Sequence, residues 1–435
     1  MPYETGSQMA KAKKSKIKLC SHGINHKFCA KCAPEKTPLS ADQQLAVDQI
    51  KDGYGPFFLT GPGGSGKTYV IKHLQNLIPD TIVCAMTGIA GQLIGGKTAH
   101  SILGIHPTYG VGQYSKANRR LEGCSLLIID EISMASAEFL GQIYERFDIA
   151  GCSPKTLFVG DFLQLPPVNG TKIFTSPDWL MRVKMLRLEQ QHRQHDAAFI
   201  TALNEIRVGE LSQTTLNLFG QRVVNELPKD CVHLLSRRNA VEEGNLTRLD
   251  AIQKVPRIYY REETRIAHRP KDSRDEERIV RSIEKALGDV RFPKILQVKD
   301  GARVVLLNNT EDWVNGSTGE IVDMTDEIIR VRLDVNGKVV SVGPVEEELS
   351  DEDGMAICKI SQFPILLAWA MTIHKAQGMT LDRVGIDLRG HFETGQTYVA
   401  LSRCKYFDGL YLAGNFGKIL VDHEAIEYLE SKTGE

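Results

Sequence analysis

The segment GPGGSGKT, Gly61 to Thr68, fits the spacing GxxxxGK[ST]. Glycines at these positions let backbone N–H groups wrap a chain of phosphates, and the lysine and hydroxyl that close the pattern reach the β- and γ-phosphates and a magnesium ion. Gly61, Pro62, Gly63, Gly64, Ser65 and Gly66 are therefore expected to cradle nucleotide phosphates, with Lys67 on their outer oxygens and Thr68 on magnesium. Farther along, LLIIDE ends an apolar run in two carboxylates. Asp130 is suited to hold magnesium through water, and Glu131 to orient or deprotonate an attacking water. Alone, an apolar strand ending in Asp-Glu marks no more than a loop. Downstream of a phosphate loop, it points to nucleoside triphosphate hydrolysis, without saying what work the hydrolysis drives.

Such residues need a scaffold that brings loops from several strands to one edge. The phosphate loop lies between the apolar run FFLT and the helical stretch YVIKHLQNL, so a strand leads into it and a helix N-terminus faces its ligand. From Leu39 to about Leu188 the runs FFLTG, TIVCAMT, SLLIIDE and TLFVGD alternate with helical stretches, the pattern of a parallel sheet covered on both faces. Residues 196–219 read as helical and CVHLLSR as a buried strand, while the charge-dense stretch Arg257 to Lys285 reads as a solvated loop and helix face. ARVVLLNN, GEIVDM, IIRVRLDV and KVVSVG, separated by NGSTG, DE and NG, predict a small antiparallel barrel. The parallel-sheet pattern resumes from Phe363 to Leu412.

Composition bounds the partners. The 435 residues carry 53 Lys plus Arg against 54 Asp plus Glu and are 42% hydrophobic, which fits a multidomain globular protein and excludes a disordered chain or a histone-like polycation. A polyanion must therefore be met by a local groove. Nine scattered cysteines do not form a secreted disulfide framework, and no apolar run approaches a membrane span, so an intracellular protein without a membrane contact is expected. The first 38 residues differ from the rest, with five lysines between Lys11 and Lys18 followed by CSHGINHKFCAKC. Cys29 and Cys32 have C-x2-C spacing; with Cys20 and either His22 or His26 they could complete a structural Cys3His zinc site. His22 is preferred because Gly23 permits a tight turn after it. The competing reading is a lysine-rich tail with incidental thiols.

Further blocks stand in a set order: LSADQQ, TGIAGQLIGGKTAHSILGI, IIDEISM, GDFLQLPPV, HRQ, LAWAMTIHKAQGMTLDRV and GQTYVALSRC. In this order and wording the chain resembles superfamily 1 helicases, specifically the PIF (petite integration frequency) family, with the phage Dda and RecD-like helicases as more distant relatives. The resemblance runs from about Leu39 to Leu412, and the N-terminal Cys/His cluster lies outside it. It implies an α/β fold of two RecA-like P-loop NTPase domains, with a small wedge insertion and a Src-homology-like β-barrel insertion. The implied bounds are a basic tail at 1–38, a first domain at 39–190 with the wedge at about 105–120, a second at 191–256 and 355–435, and an insertion at 257–354 holding the barrel at about 298–345.

The resemblance also assigns residues. Gln43 would sit on the adenine, Gln164 would sense the γ-phosphate, Arg193 and Arg403 would be arginine fingers, and Gln377 and Gly378 would line the nucleotide. Thr87, Gly88, Thr98 and His100 in the first lobe and His374 and Lys375 in the second would follow a single strand of DNA, while Tyr109 and Tyr114 of the wedge would either pack against the strand junction or stand as exposed loop tyrosines. The residue chemistry agrees: small residues and amides track a backbone without reading sequence, and an arginine crossing a cleft helps hydrolysis only when the lobes close. The implied activity is ATP- and magnesium-dependent unwinding of DNA with 5′ to 3′ movement, in replication, recombination or repair. Its partners would be single-stranded and forked DNA, with replication or recombination proteins as further possibilities. A monomer in the cytoplasm of a bacterial or phage-infected cell is expected, with nuclear or organellar placement left open. Two other functions compete: a translocase that strips proteins without separating strands, and a DNA-binding adaptor with a degenerate ATP site. The intact Lys67, Thr68, Asp130, Glu131, Gln164, Arg193 and Arg403 speak against the adaptor.

Overall fold

A computed structural model describes residues 38–432, apart from 88–89, 92–93, 107–109, 112–115, 168–169, 195, 267–272, 289, 291, 309, 314, 351–355, 390–392 and 415–418. The Cys20, His22, Cys29 and Cys32 cluster, Gly88, Tyr109 and Tyr114 lie outside the described residues.

The first sheet is built from strands β1 (Phe57–Thr60), β2 (Thr81–Ala85), β3 (Lys97–Thr98), β4 (Leu126–Asp130), β5 (Lys155–Gly160) and β6 (Lys184–Arg187), in the order β3-β2-β4-β5-β1-β6. Every pairing is parallel. All residues of β1 and β4 are buried, as expected where helices cover both faces and the strand reads as an unbroken apolar run. Register decides what meets at the carboxyl edge. Asp130 lies beside Ala85, and Ala85 beside Thr98, while Thr60 lies beside Gly160. The phosphate loop, the Asp130–Glu131 pair and Asp161 therefore leave the sheet on one side, where parallel α/β sheets place ligands.

A second parallel sheet, in the order β8-β7-β9-β10, is formed by β7 (Val232–Leu235), β8 (Ala370–Thr372), β9 (Val384–Asp387) and β10 (Leu410–Ala413). Its core gathers Val232, Leu234, Val384, Ile386 and Leu412 with Phe199 and Ile206 of the helix Ala197–Val208. Between β7 and β8 the chain forms a five-stranded antiparallel sheet from Arg303–Leu306, Thr318–Met324, Ile329–Leu333, Val339–Val342 and Ile365–Leu367. Ile329, Val331 and Leu333 are buried while Arg330 and Arg332 are exposed, the alternation expected of a sheet with one wet face. Its fifth strand lies beyond the 298–345 stretch expected from sequence, because ILL is too short to signal a strand on its own.

Two segments differ from the sequence reading. The charge-dense stretch contains two strands, Arg257–Tyr260 and Glu262–Arg265, before the helix Ser273–Gly288. Glu262–Arg265 is exposed at every residue and pairs with Ala356–Gln362, so no apolar alternation betrays it. The C-terminal helix His423–Ser431, grouped above with the second domain, packs on the core of the first sheet. Trp179 Nε1 donates to the Tyr428 hydroxyl at 2.7 Å, the Phe174 and Tyr428 rings stack at 5.1 Å, and Lys172 pairs with Asp422 and Glu424.

Where the wedge was expected, the hairpin Ile105–His106 and Gly110–Val111 precedes the helix Lys116–Glu122. The fully buried Arg146 fastens its base by donating to Leu103 O, Gly104 O and Asn118 Oδ1 at 2.7–3.0 Å. No helix among the described residues is long and apolar enough to cross a membrane.

Candidate active site

The phosphate loop joins β1 to the helix Lys67–Leu77, whose N-terminus opens on a cavity of about 650 Å³. Gly64 and Gly66 take φ of 90° and 86°, in the left-handed region that side chains disfavour. Space is short as well: a Cβ at Gly66 would lie 2.3 Å from Gln43 Nε2, and one at Gly64 would lie 2.6 Å from Arg193 Cβ. The loop is thus packed between two residues assigned to nucleotide chemistry. Lys67 Nζ donates to Gly61 O at 2.7 Å and Pro62 O at 3.1 Å. Burial holds the Lys67 pKa below its ordinary value, against the opposing pull of Asp161, Glu131 and Asp130.

At the end of β4, burial raises the Asp130 carboxyl to about 7, with the neighbouring Glu131 charge adding to the rise. The Glu131 N–H donates to Asp130 Oδ1 at 2.8 Å. Glu131 itself has φ 55° and ψ 40°, a left-handed conformation that costs a residue with a side chain on the order of 1–3 kcal/mol. The strained turn presents its carboxylate to the cavity, and Glu131 Oε2 accepts a hydrogen bond at 3.0 Å from Gln377 Nε2, which follows β8 in the other half of the molecule.

Gln164 also lines the cavity, and its Nε2 donates to Asp161 Oδ2 at 3.2 Å. Asp161 is fully buried. Burial alone would raise its pKa, but the charge and hydrogen bonds of Arg207 hold it below the ordinary carboxylate value. Arg207 grips both carboxylate oxygens, at 2.7 and 3.2 Å. Asp161 lies within GDFLQLPPV, yet nothing in the sequence signals a partner on the helix Ala197–Val208.

Arg193 and Arg403 line the same cavity. Arg193 NH1 donates to Ser402 O at 3.1 Å; Arg403 Nε donates to Val399 O at 2.9 Å and its NH2 to Ser402 Oγ at 2.7 Å. Burial, then the charge of Arg403, lowers Arg193 to about 9, and burial lowers Arg403. Among the described residues neither guanidinium makes a salt bridge, so a half-buried and a buried positive group share a cavity with carbonyl and hydroxyl partners. This electrostatic environment favours a polyanion. Two further residues were not singled out from sequence. Gln194 Nε2 donates to Ser402 O and Cys404 O, and the Tyr398 hydroxyl accepts the Gly63 N–H at 2.7 Å.

Gly378, expected at the nucleotide, lines the cavity. Gln43 is buried and donates through Nε2 to Ser65 O at 3.1 Å, which braces the phosphate loop. The residues assigned to DNA lie at the carboxyl edges of both sheets. Thr98 ends β3 and caps the helix Ala99–Leu103, and Thr87 follows β2, where its hydroxyl accepts from the Ala90 N–H. The His100 ring packs 4.6 Å from that of Phe139. His374 and Lys375 form the short helix Ile373–Ala376 directly after β8, with His374 Nε2 3.6 Å from Glu393 Oε2. Lys375 lines a separate groove beside the helix Arg238–Asp250.

The residues present fit a magnesium–nucleoside triphosphate. A cradle that a Cβ would fill, an ammonium and two guanidiniums suit the phosphates, and among the described residues the buried Ser65 Oγ has no hydrogen-bond partner. Thr68 and Asp130 line the cavity, and their hydroxyl and carboxylate are the donor types that would hold magnesium. Among the described residues no group of three or more His, Cys, Asp or Glu is placed to hold a metal.

The chain matches the family described as an AAA domain over residues 38–226 and the family described as a helicase over residues 339–424. It is 32% identical over 425 residues to the ATP-dependent DNA helicase Pif1 of Bdellovibrio bacteriovorus, covering 91% of this chain and 92% of that one. It is also 32% identical over 409 residues to the ATP-dependent DNA helicase PIF1 of Danio rerio, covering 87% of this chain but 61% of the longer relative. In structure it is similar to the Pif1 helicase from Bacteroides in complex with ADP-AlF3 and ssDNA, with a TM-score of 0.65, 27% identity, and coverage of 92% of this chain and 98% of that one.

Proposed function

The chain belongs to the Pif1 helicase family, and on that footing we propose that it is an ATP-dependent DNA helicase that moves 5′ to 3′ along a single strand and separates the duplex ahead of it. The observation that carries this is the two-sided cavity. Lys67, Thr68, Asp130 and Glu131 come from the first sheet, Gly378 and Arg403 follow strands of the second, and Gln377 reaches across to Glu131. A hydrolytic site assembled by two sheets can couple turnover to their relative motion, as a motor requires.

In this site Lys67 and the loop amides bind the phosphates of ATP, and Glu131 orients and takes a proton from the attacking water. Gln164, fixed by Asp161, senses the γ-phosphate, and Gln43 contacts the adenine from its place behind the loop. Arg193 and Arg403 stabilise charge on the transferred phosphoryl group. Thr68 and Asp130 would hold magnesium, which when bound would supply Lewis-acid neutralisation of the phosphate oxygens. Thr87, Thr98 and His100 on one edge and His374 and Lys375 on the other track the DNA backbone, together with Gly88, which lies outside the described residues; the position of both edges beside the cavity supports this. The antiparallel sheet serves as the Src-homology-like clamp, and the insertion at about 105–120 as the wedge.

Direction rests on the family, so it is the part to test. A duplex with a 5′ single-stranded tail is expected to unwind in ATP and magnesium, while the same duplex with a 3′ tail stays intact. Streptavidin displacement from tailed DNA without strand separation would contradict the helicase reading, and unwinding from 3′ tails would contradict the direction.

A further inference from the structure

Tyr398 stands between the phosphate loop and the arginine that crosses the cleft. Its hydroxyl accepts the backbone N–H of Gly63 at 2.7 Å, and the side chain is 2% exposed. It lies on the helix Gln396–Ser402, every residue of which is buried. That helix ends on Arg403 and holds its guanidinium through Val399 O and Ser402 Oγ. A Cβ built at Gly63 would lie 3.4 Å from Arg403 NH2, Ser402 Oγ and Tyr398 OH alike. The tyrosine hydroxyl and the guanidinium therefore both border the same Gly63 peptide of the loop. Arg193 and Gln194 fix the far end of the same helix through Ser402 O and Cys404 O.

We propose that Tyr398 is a positioning residue that ties the seating of the phosphate loop to the placement of the Arg403 guanidinium. The assignment rests on the ATP-site reading above. A tightly packed helix is displaced as a unit rather than bent residue by residue. Movement of the Gly63 peptide is thus passed through one hydrogen bond to the helix that aims Arg403. Phenylalanine keeps the ring and its packing but removes the acceptor, so the helix loses this reference point while the phosphate cradle stays intact. A guanidinium misplaced by a fraction of an ångström fails in the transition state and leaves ground-state binding unchanged.

The test uses the full chain with ATP, magnesium and single-stranded DNA. Tyr398→Phe is expected to lower kcat about 10- to 100-fold, with KM for ATP and affinity for ADP within about twofold of the parent. In an Arg403→Ala background the same change is expected to have almost no further effect, because it acts through that arginine. A loss of folded protein would carry through unchanged in both backgrounds, and equal losses in the two would overturn the proposal. So would a kcat for Tyr398→Phe equal to that of the parent. A parent whose hydrolysis ignores DNA would overturn the ATP-driven motor reading together with this assignment, whereas DNA-stimulated turnover in the parent isolates the assignment.

Discussion

Arg403→Ala is expected to lower DNA-stimulated ATP turnover by about 10³-fold while affinity for ADP stays close to that of the parent. Arg403 is 2% exposed and held in the cavity by a carbonyl and a hydroxyl, and burial lowers its pKa. A desolvated cation is poised to gain most when charge accumulates on a transferred phosphoryl group, so its contribution belongs to the transition state rather than to binding. Lysine should not restore turnover, since a point charge cannot reproduce the planar guanidinium held at Val399 O and Ser402 Oγ. Parallel measurement of single-turnover rates and ADP affinity checks this, and a loss of affinity as large as the loss of rate would contradict the role.

Lys67→Ala is expected to abolish both hydrolysis and unwinding without lowering thermal stability. Its half-buried Nζ donates to the loop carbonyls Gly61 O and Pro62 O and feels the carboxylates of Asp161, Glu131 and Asp130. Because its folded pKa is depressed by burial, the charged form is disfavoured by folding at every pH below the unfolded value of about 10.4. At neutral pH the lysine therefore burdens stability, and alanine relieves the cost while removing the charge that meets the phosphates. Melting curves and hydrolysis assays on the same preparation check both halves. A variant that hydrolyses ATP like the parent would contradict the phosphate-loop assignment.

The chemistry that sequence exposed is the chemistry carried by contiguous residues. Gly64 and Gly66 are required by backbone conformation and close approach, so they leave a readable pattern. The buried strand before Asp130 is readable for a similar reason, since both faces of β4 demand apolar side chains. What remained hidden is pairing across the chain. Gln377 meets Glu131 from 246 positions away, Tyr398 meets Gly63 from 335, and Arg207 meets Asp161 from 46. No local spacing encodes such contacts, and nothing in GQTYVALSRC marks Tyr398 as the residue that reaches the phosphate loop. The C-terminal helix shows the same limit: its amphipathic sequence calls for an apolar surface, but only the fold shows that Trp179 and Phe174 provide it. The finger roles of Arg193 and Arg403 come from family resemblance alone, while the structure shows that both line the cavity beside the phosphate loop.

A hydrolytic site shared by two sheets is expected to drive movement on DNA. Steady-state ATP hydrolysis by the full chain in magnesium, with increasing single-stranded DNA, tests it most directly. A rate that rises to saturation with DNA and is lost in Lys67→Ala is the result expected. Hydrolysis indifferent to DNA would contradict a motor whose site closes as it grips its track.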